Sequence, residues 1–245
     1  MAELKLTAVK KDSRTVLSSL YFTTPNKIAK PFYDGEKTKV IVMQASAGLL
    51  DGDKNSIDLN IEKDAHLIYT GQSFTKVFSC PSGEGVVQKL NVSLQDNATL
   101  FYSAMPVVPF TDSVYQAENK IFLTLKSRLF YSDVFCCGRK ERGEKFGFNR
   151  FISRTSVYVD GKIVFFDNTR FVPEEYSVDS IGFFEGFSHT GFIYMYGLDC
   201  PDYSSLVTEK IQCASSQCLK GIVIRLFAHD AESIISFVSG LSGLF

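Results

Sequence analysis

The segment FCCGRKERGEKFGF, residues 135–148, combines residue types from which several kinds of functional site are built. Its two adjacent cysteines, Cys136 and Cys137, are followed by a run of charged side chains interrupted by glycines. Thiolates and carboxylates bind metal ions, paired thiols can be redox-active, and glycine-containing loops can bind phosphate. A charged loop can also form a surface for another protein. The structural elements around the segment must decide among these roles.

Cysteine and histidine spacing predicts no closed metal site. The sequence contains no CxxC, HxH or HExxH pattern, and its three histidines are isolated from one another. Cys136 and Cys137 fall on a predicted strand, where neighbouring side chains point to opposite faces, so both sulfurs are not expected to bind one ion. A disulfide between neighbours would be strained. We therefore interpret both residues as buried structural thiols.

Motifs of nucleotide-binding and hydrolytic enzymes are absent from the sequence. No Walker, GxGxxG or GxSxG pattern occurs. SAGLLDGD, residues 46–53, contains glycines but precedes a predicted strand, so it lacks the helix N-terminus that favours phosphate binding. The chain is therefore predicted not to be an enzyme. A hydrolase built on a pair of Asp or Glu residues stays open as an alternative.

Charge and hydropathy narrow the class of protein and its compartment. The 245 residues include 26 basic and 27 acidic side chains, for a formal net charge of −1. This balance gives no electrostatic footprint for nucleic acid or an anionic membrane. No segment approaches the roughly 18 apolar residues of a membrane helix, and the N-terminus lacks the apolar core of a secretory signal. Six cysteines in such a chain are expected to be reduced thiols of a cytoplasmic protein.

Alternation of apolar and polar residues with a period of two dominates the sequence. It occurs in NSIDLNIE, KLNVSLQD and KIFLTLK and is typical of antiparallel sheets with one solvated face. The residues predicted to face the core are Ile57, Leu59, Ile61, Leu90, Val92, Leu94, Ile121, Leu123 and Leu125. Asp160-Gly161, between two apolar-rich segments, predicts a type I′ hairpin turn.

Further predicted strands at 39–45, 65–70, 98–103 and 129–135 give the short spacing of a sandwich or a related all-β stack. FCCGRKERGEKFGF then lies between strands: Phe135 closes one strand, Gly138 allows an unusual turn, and Phe146 and Phe148 begin the next strand. The polar loop between them is either a charged hairpin connection or a surface that meets a partner or lines a hydrophilic passage. Chemistry alone leaves both roles open.

We predict a single domain over residues 1–245, without an internal repeat. Residues 1–200 form a β-rich body, and residues 201–245 form a helix–strand–helix part. DYSSLVTEKIQC places its apolar residues on one helical face, and Asp230 is a predicted N-cap of a second helix, AESIISFVSGL. The apolar stripe of this second helix is predicted to be Ala231, Ile234, Ile235 and Val238. The helix pair is expected to pack on the sheet or to present its stripe to another protein.

Four collinear segments resemble motifs of the urease accessory protein family called UreD or UreH. Residues 46–53, SAGLLDGD, resemble its SxGLxxGD signature, and residues 72–77, QSFTKV, its QSxxKV segment. Residues 106–110, PVVPF, resemble a P-hydrophobic-hydrophobic-P-F run, and residues 138–148 resemble GRxxxGExFxF. The resemblance covers almost the whole chain.

The resemblance implies an all-β dominated fold of stacked antiparallel or helically arranged β-sheets, β-sandwich-like or β-helical, with two short α-helices near the C-terminus. It also implies urease maturation by a non-catalytic scaffold or chaperone that binds apo-urease. The implied partners are a UreF-type helical accessory protein and, through it, a UreG-type GTPase, with neither nucleic acid nor a membrane. GTP hydrolysis would drive nickel into the urease active site. The alternative function is a β-sandwich module that binds another protein or a glycan.

Motif positions also supply candidate residues. The candidates for an interface or a nickel tunnel are Asp51, Asp53, Lys76, Arg139 and Glu144. Turn stabilisation or structural ion pairing is the alternative role for each of them. The residues assigned to the structure of the motifs are Gly48, Gly52, Gln72, Pro109 and Gly138. No tightly bound cofactor is expected: nickel in transit would meet oxygen ligands, which hold it less tightly than thiolates or imidazoles do, and the partner would bind GTP.

Overall fold

The computed structural model describes residues 1–243 and shows a fold made mainly of β-strands. The last two residues of the predicted domain, 244 and 245, lie outside the described residues. The strands of the described part are β1 (Ala2–Lys11), β2 (Arg14–Phe22), β3 (Asn26–Ile28), β4 (Phe32–Asp34), β5 (Lys37–Gln44), β6 (Lys54–Ile61), β7 (His66–Gly71), β8 (Thr75–Val77), β9 (Val86–Leu94), β10 (Thr99–Ser103), β11 (Val107–Pro109), β12 (Val114–Leu123), β13 (Arg128–Cys136), β14 (Arg150–Val159), β15 (Lys162–Phe171), β16 (His189–Tyr196), β17 (Ile211–Gln217) and β18 (Ile222–Ala228). The helix α1 spans Ala231–Ser242, and short 3₁₀ turns lie at Lys140–Arg142 and Ser204–Leu206.

The strands form two facing sheets. The order in the first sheet is β15-β14-β12-β9-β6-β1-β2, and the order in the second is β17-β18-β16-β13-β10-β7-β5-β3, with β4, β8 and β11 attached to the second. From β5 to β14 the long strands alternate between the sheets: β5, β7, β10 and β13 enter the second, and β6, β9, β12 and β14 the first. Each such pair of strands is one coil of a two-sheet β-solenoid.

Most neighbouring strands are parallel, which corrects the expectation of antiparallel sheets. In the first sheet β6, β9, β12 and β14 pair in parallel, and in the second β5, β7, β10 and β13 do the same. The reason is topological: consecutive long strands enter opposite sheets, so every strand that returns to a sheet runs in the same direction as the one before it. Antiparallel pairs, such as β1–β2, β14–β15 and β13–β16, flank the parallel region. Of the predicted arrangements, the β-helical one is the one observed.

The coils repeat as structural units, although the sequence itself shows no internal repeat. Short turns connect β6 to β7, β9 to β10 and β12 to β13, and each is closed by a backbone hydrogen bond from residue i+3 to residue i. The three bonds run from Ala65 N–H to the Glu62 carbonyl (3.0 Å), from Ala98 N–H to Gln95 (3.0 Å) and from Ser127 N–H to Thr124 (3.3 Å). The repeat escapes notice in the sequence because a coil requires only inward-facing apolar residues and a turn, which many residue types satisfy.

The residues predicted to face the core do so, with one exception. Eight of the nine are at most 5% exposed and pack against the inward-facing residues of the second sheet. Leu125 is the exception: it lies in the turn after β12 and is 63% exposed, because the strand ends at Leu123. The predicted hairpin is confirmed, since Asp160 and Gly161 have φ angles of 48° and 76° between β14 and β15.

The C-terminal part contains one α-helix within the described residues rather than the predicted two. DYSSLVTEKIQC forms the 3₁₀ turn at Ser204–Leu206 and the start of β17. Two physical factors favour this outcome. Residues from Ile211 onwards satisfy their backbone groups by pairing with β18, and the β-branched residues of the segment favour extended backbone.

The second predicted helix is present as α1 and packs on the outer face of the second sheet. Asp230 is its N-cap, and the Asp230 carboxylate accepts a hydrogen bond from the Ser233 N–H at 2.8 Å. The buried residues of α1 are Ile234, Phe237, Val238 and Leu241, whereas Ala231 and Ile235 of the predicted stripe are only half-buried. Packing on the sheet is therefore one established role of this helix.

Candidate functional site

The residues selected by motif gather at one end of the solenoid. β5, β7, β10 and β13 all run towards this end, and long connections lead from it to the first sheet at 45–53, 72–85, 104–113 and 137–149. These four connections, here called the motif turns, hold all ten residues selected by motif. Because parallel strands bring their carboxyl ends to one edge, segments that are far apart in sequence become neighbours.

Backbone hydrogen bonds stack the motif turns in chain order. The bonds run from Leu49 N–H to the Lys76 carbonyl (2.8 Å), from Phe110 N–H to Val77 (2.9 Å) and from Asp112 N–H to Gly147 (2.9 Å). The first turn is thereby joined to the second, the second to the third, and the third to the fourth. The four sequence motifs therefore form one continuous surface.

Asp51 joins the first motif turn to the second. Its carboxylate accepts hydrogen bonds from the backbone N–H groups of Ser82 at 2.6 Å and Gly85 at 2.8 Å. Hydrogen bonding by Ser82 is the largest cause of the lowered pKa of Asp51. Asp53 acts within its own turn, where its Oδ2 accepts the Leu50 N–H at 2.8 Å. Both carboxylates thus stabilise the turns in which they lie.

Arg139 and Glu144 form a two-bond ion pair within the fourth motif turn. Arg139 Nε donates to Glu144 Oε2 at 2.8 Å, and Arg139 Nη2 donates to Glu144 Oε1. This pairing lowers the pKa of Glu144 and raises that of Arg139. The guanidinium also lies over the Phe110 ring at 4.1 Å, and Phe110 packs edge-on against Phe78 at 4.9 Å. The two side chains are 30% and 23% exposed, so the pair both shapes the turn and forms part of the surface.

The glycines allow close backbone approach or positive φ angles within this stack. A Cβ atom on Gly48 would lie 2.7 Å from the carbonyl oxygen of Lys76, in the neighbouring turn. Gly138 has a φ of 130°, and a Cβ atom there would lie 2.9 Å from the Glu144 carbonyl oxygen. Gly52 has a φ of 81°. A side chain at any of these positions would disturb the stack.

The remaining motif residues differ in exposure. Lys76 and Gln72 have exposed side chains, and the Gln72 N–H donates to the Val42 carbonyl at 2.9 Å. Pro109 is buried and ends β11. Lys76 and Gln72 are therefore accessible to another molecule, whereas Pro109 is part of the packing.

Polar side chains extend between the sheets beside the motif turns. Two small cavities, of about 50 and 30 Å³, follow one another there and share Thr75, Gln88 and Tyr102 in their walls. Each has room for water-sized molecules. The polar side chains that line or continue this path, here called the interior polar row, are Asn26, Asn55, Gln88, Asn119, Asp133, Ser153, Thr155, Asp167, Thr169 and Arg225.

Asp133 is the carboxylate that lines the second cavity. Its Oδ2 accepts a hydrogen bond from Ser153 Oγ at 2.7 Å. Burial raises the pKa of Asp133 to about 6, and the nearby Asp167 carboxylate contributes to the rise. Asn119 Nδ2 donates to Thr155 Oγ1 at 3.1 Å and continues the hydrogen-bonded path. This part of the row is rich in oxygen atoms.

The two ends of the interior polar row differ. At one end the Asn26 amide donates to Asn55 Oδ1 at 2.8 Å, so two neutral side chains meet. At the other end Arg225 Nη2 donates to Asp167 Oδ1 at 2.5 Å, and Thr169 Oγ1 donates to Asp167 Oδ2 at 2.9 Å. One end is therefore neutral, and the other is closed by an ion pair.

Cysteine and histidine side chains form no evident metal centre. Within residues 1–243 no three His, Cys, Asp or Glu side chains come together in an arrangement that could hold a metal ion. Cys136 and Cys137 are both buried, and burial raises both thiol pKa values, that of Cys136 to about 12. Thiols with such pKa values stay protonated at neutral pH. No helix in the same described range has the length and apolar character needed to cross a membrane.

Sequence reasoning missed the interior polar row, although a signal for it was present. Asn55, Gln88 and Asn119 each stand two positions before an inward-facing apolar residue of an alternating strand, so the period of two places them on the inward face. The partners Asp167 and Arg225 lie 58 positions apart in the chain, and no local pattern connects them.

The stacked motif turns and the hydrogen-bonded interior define the chain as a β-solenoid protein whose long connections are stacked at one end. The chain belongs to the UreD urease accessory protein family, whose model matches residues 1–244. It is 32% identical to the urease accessory protein UreD of Acetivibrio thermocellus, over 97% of this chain and 94% of that protein. The corresponding protein UreH of Helicobacter hepaticus is 28% identical over 94% of this chain and 92% of its own length. UreD of Flavobacterium johnsoniae is 32% identical over 95% and 83%, respectively. Membership of this family implies a role in urease maturation.

Proposed function

We propose that this chain is a non-catalytic urease maturation factor that binds apo-urease in the cytoplasm. Together with a UreF-type helical protein and a UreG-type GTPase, it supports GTP-dependent insertion of nickel into the urease active site. The motif turns are the proposed surface for partners. Family membership over the whole described chain is the observation that supports this proposal most strongly.

The interior polar row supports a second part of the proposal, the passage of nickel through this chain. Carboxylate, hydroxyl and amide oxygens line a path between the sheets that contains two small cavities. Nickel bound by such oxygens is held less tightly than by thiolates or imidazoles, so it can be released again. A path of this kind suits a metal ion in transit. In this proposal the UreG-type partner, and not this chain, binds GTP.

Co-expression tests the proposal. The chain is produced with its cognate urease subunits and the UreF- and UreG-type proteins, and nickel-dependent urea hydrolysis is compared with and without it. We expect a complex that contains the chain and apo-urease, and loss of urease activity when the chain is omitted. Equal urease activity in its absence, with no complex formed, would show that it is not a maturation factor for this urease.

A further inference from the structure

The ion pair between Asp167 and Arg225 connects the two sheets at one end of the interior polar row. Asp167 lies on β15 of the first sheet, and Arg225 lies on β18 of the second. The Asp167 side chain is 6% exposed, whereas the Arg225 side chain is 51% exposed. The pair therefore joins a buried carboxylate to a side chain that reaches it from the surface.

Arg225 supplies the positive charge for a carboxylate that belongs to the interior. Asp167 lies two positions before Thr169, on the same face of β15, and directly opposite it on β14 lies Thr155, which is fully buried. Asp133, the other carboxylate of the interior polar row, accepts its hydrogen bond from the neutral Ser153. Buried carboxylates are stabilised when a cation or hydrogen-bond donors compensate their charge.

Arg225 is well placed to leave this position. Its guanidinium lies 5.2 Å from the centre of the Phe192 ring, so the side chain rests on an aromatic surface while half of it faces solvent. A single hydrogen bond from the guanidinium to Asp167 is present. Rotation of the long side chain towards solvent would leave the arginine hydrated, and only Asp167 would lose a charged partner.

We propose that Arg225 is the internal counter-cation that closes this end of the interior polar row and must release Asp167 before a divalent metal ion can occupy the same place. This inference rests on the proposed passage of nickel and adds its regulation. The guanidinium and the metal ion compete for one carboxylate, so the row binds nickel weakly while Arg225 is in place.

Nickel binding to the purified full-length chain tests the competition without urease or partner proteins. Ni²⁺ is titrated into the wild-type chain and the Arg225→Gln variant, with bound metal measured by equilibrium dialysis. We expect the Arg225→Gln variant to bind Ni²⁺ roughly tenfold more tightly or better, because a competing positive charge next to the carboxylate has been removed. The double variant Arg225→Gln/Asp167→Asn is expected to return to the wild-type level.

The ion pair of Arg170 with Glu175 provides a matched control. Arg170 donates to both oxygens of Glu175, but those side chains are 40% and 52% exposed. Releasing a solvated carboxylate should not create a tighter site, so Arg170→Gln is expected to bind Ni²⁺ as the wild type does. If Arg225→Gln does not fold, as judged by its thermal melting, Arg225→Met keeps a long apolar stem over Phe192 and is used in its place.

Two results would overturn the inference: an unchanged Ni²⁺ affinity in a folded Arg225 variant, or a gain that persists after Asp167→Asn. Neither result depends on urease activation, which the co-expression experiment measures with the wild-type chain. The Arg225→Gln variant could bind Ni²⁺ more tightly while urease activation does not require this chain. That combination would support Arg225 as a counter-cation and contradict the proposed role of the chain in urease maturation.

Discussion

At the scale of single residues, Glu144 is the candidate that combines a structural contact with exposure. It forms an ion pair with Arg139, and its side chain is still 23% exposed. We predict that Glu144→Gln lowers urease activation several-fold without loss of folding, because the side chain would lose its charge at the proposed partner surface while keeping its size. The measurement is nickel-dependent urease activity after co-expression, together with the melting temperature of the purified variant.

Glu175→Gln is the control for this variant, since Glu175 forms a similar pair with an arginine five positions earlier but lies outside the four motif segments. The two substitutions should have similar effects on melting temperature and different effects on urease activation. Equal urease activation by both variants would assign Glu144 a purely structural role.

Asp133 is the residue on which the proposed passage of nickel depends most directly. We predict that Asp133→Asn reduces urease activation at limiting nickel, because it removes the carboxylate that lines the second cavity and leaves an amide that can still accept the hydrogen bond from Ser153. Co-purification with the partners should be unchanged. Asp58→Asn, on the outward face of β6, is the control and should activate urease normally. Full urease activation by Asp133→Asn at low nickel would rule out this path.

At the scale of elements, α1 depends on its N-cap. Asp230→Ala should lower the free energy of unfolding by about 1 kcal/mol, because the Ser233 N–H loses its acceptor at the helix N-terminus. Urea unfolding of the purified variant measures this change. Glu232→Gln, an exposed first-turn substitution, should cost only a few tenths of a kcal/mol through the helix dipole. Equal losses for the two variants would show that the cap hydrogen bond contributes little.

At the scale of the whole molecule, buried His189 should make the free energy of unfolding depend on pH. Burial lowers the pKa of His189 to about 4, below its value of about 6.5 in an unfolded chain. The unfolded state therefore binds the proton more readily, and stability falls as the pH decreases from about 6.5 to about 4, by up to roughly 3 kcal/mol. His189→Gln should weaken this dependence, as measured by urea unfolding across that range.

Asp133 changes the free energy of unfolding with pH in the opposite direction from His189. Its pKa is raised to about 6, so the stability that its neutral form contributes is complete below about pH 4 and is lost as the pH rises through 6. The His189→Gln variant should therefore show a shallower fall towards acid than the wild type. If the free energy of unfolding depended on pH equally in the wild type and the His189→Gln variant, His189 would bind its proton as readily in the folded state as in the unfolded state.

The strands and their inward faces were predictable from local chemistry. Ile57, Leu90 and Ile121 face the core because a period of two in apolar residues has one low-energy placement on a pleated strand. The Asp160-Gly161 turn and the Asp230 cap are equally local. The first predicted helix failed because pairing of β17 with β18, a contact between separate segments, determined the backbone of Ile211 and the residues after it.

The sequence by itself determined that this chain is a mainly β protein with a charged turn at 139–144, and its four motifs identified the family. Only the tertiary structure decided that the strands are parallel, that the four motif turns form one stacked end, and that Asp167 meets Arg225 across the two sheets. The physical reason is the range of the interactions. Alternation, capping and turn conformation depend on neighbours in the chain, whereas sheet assignment and the pairing of a buried charge depend on how distant segments stack.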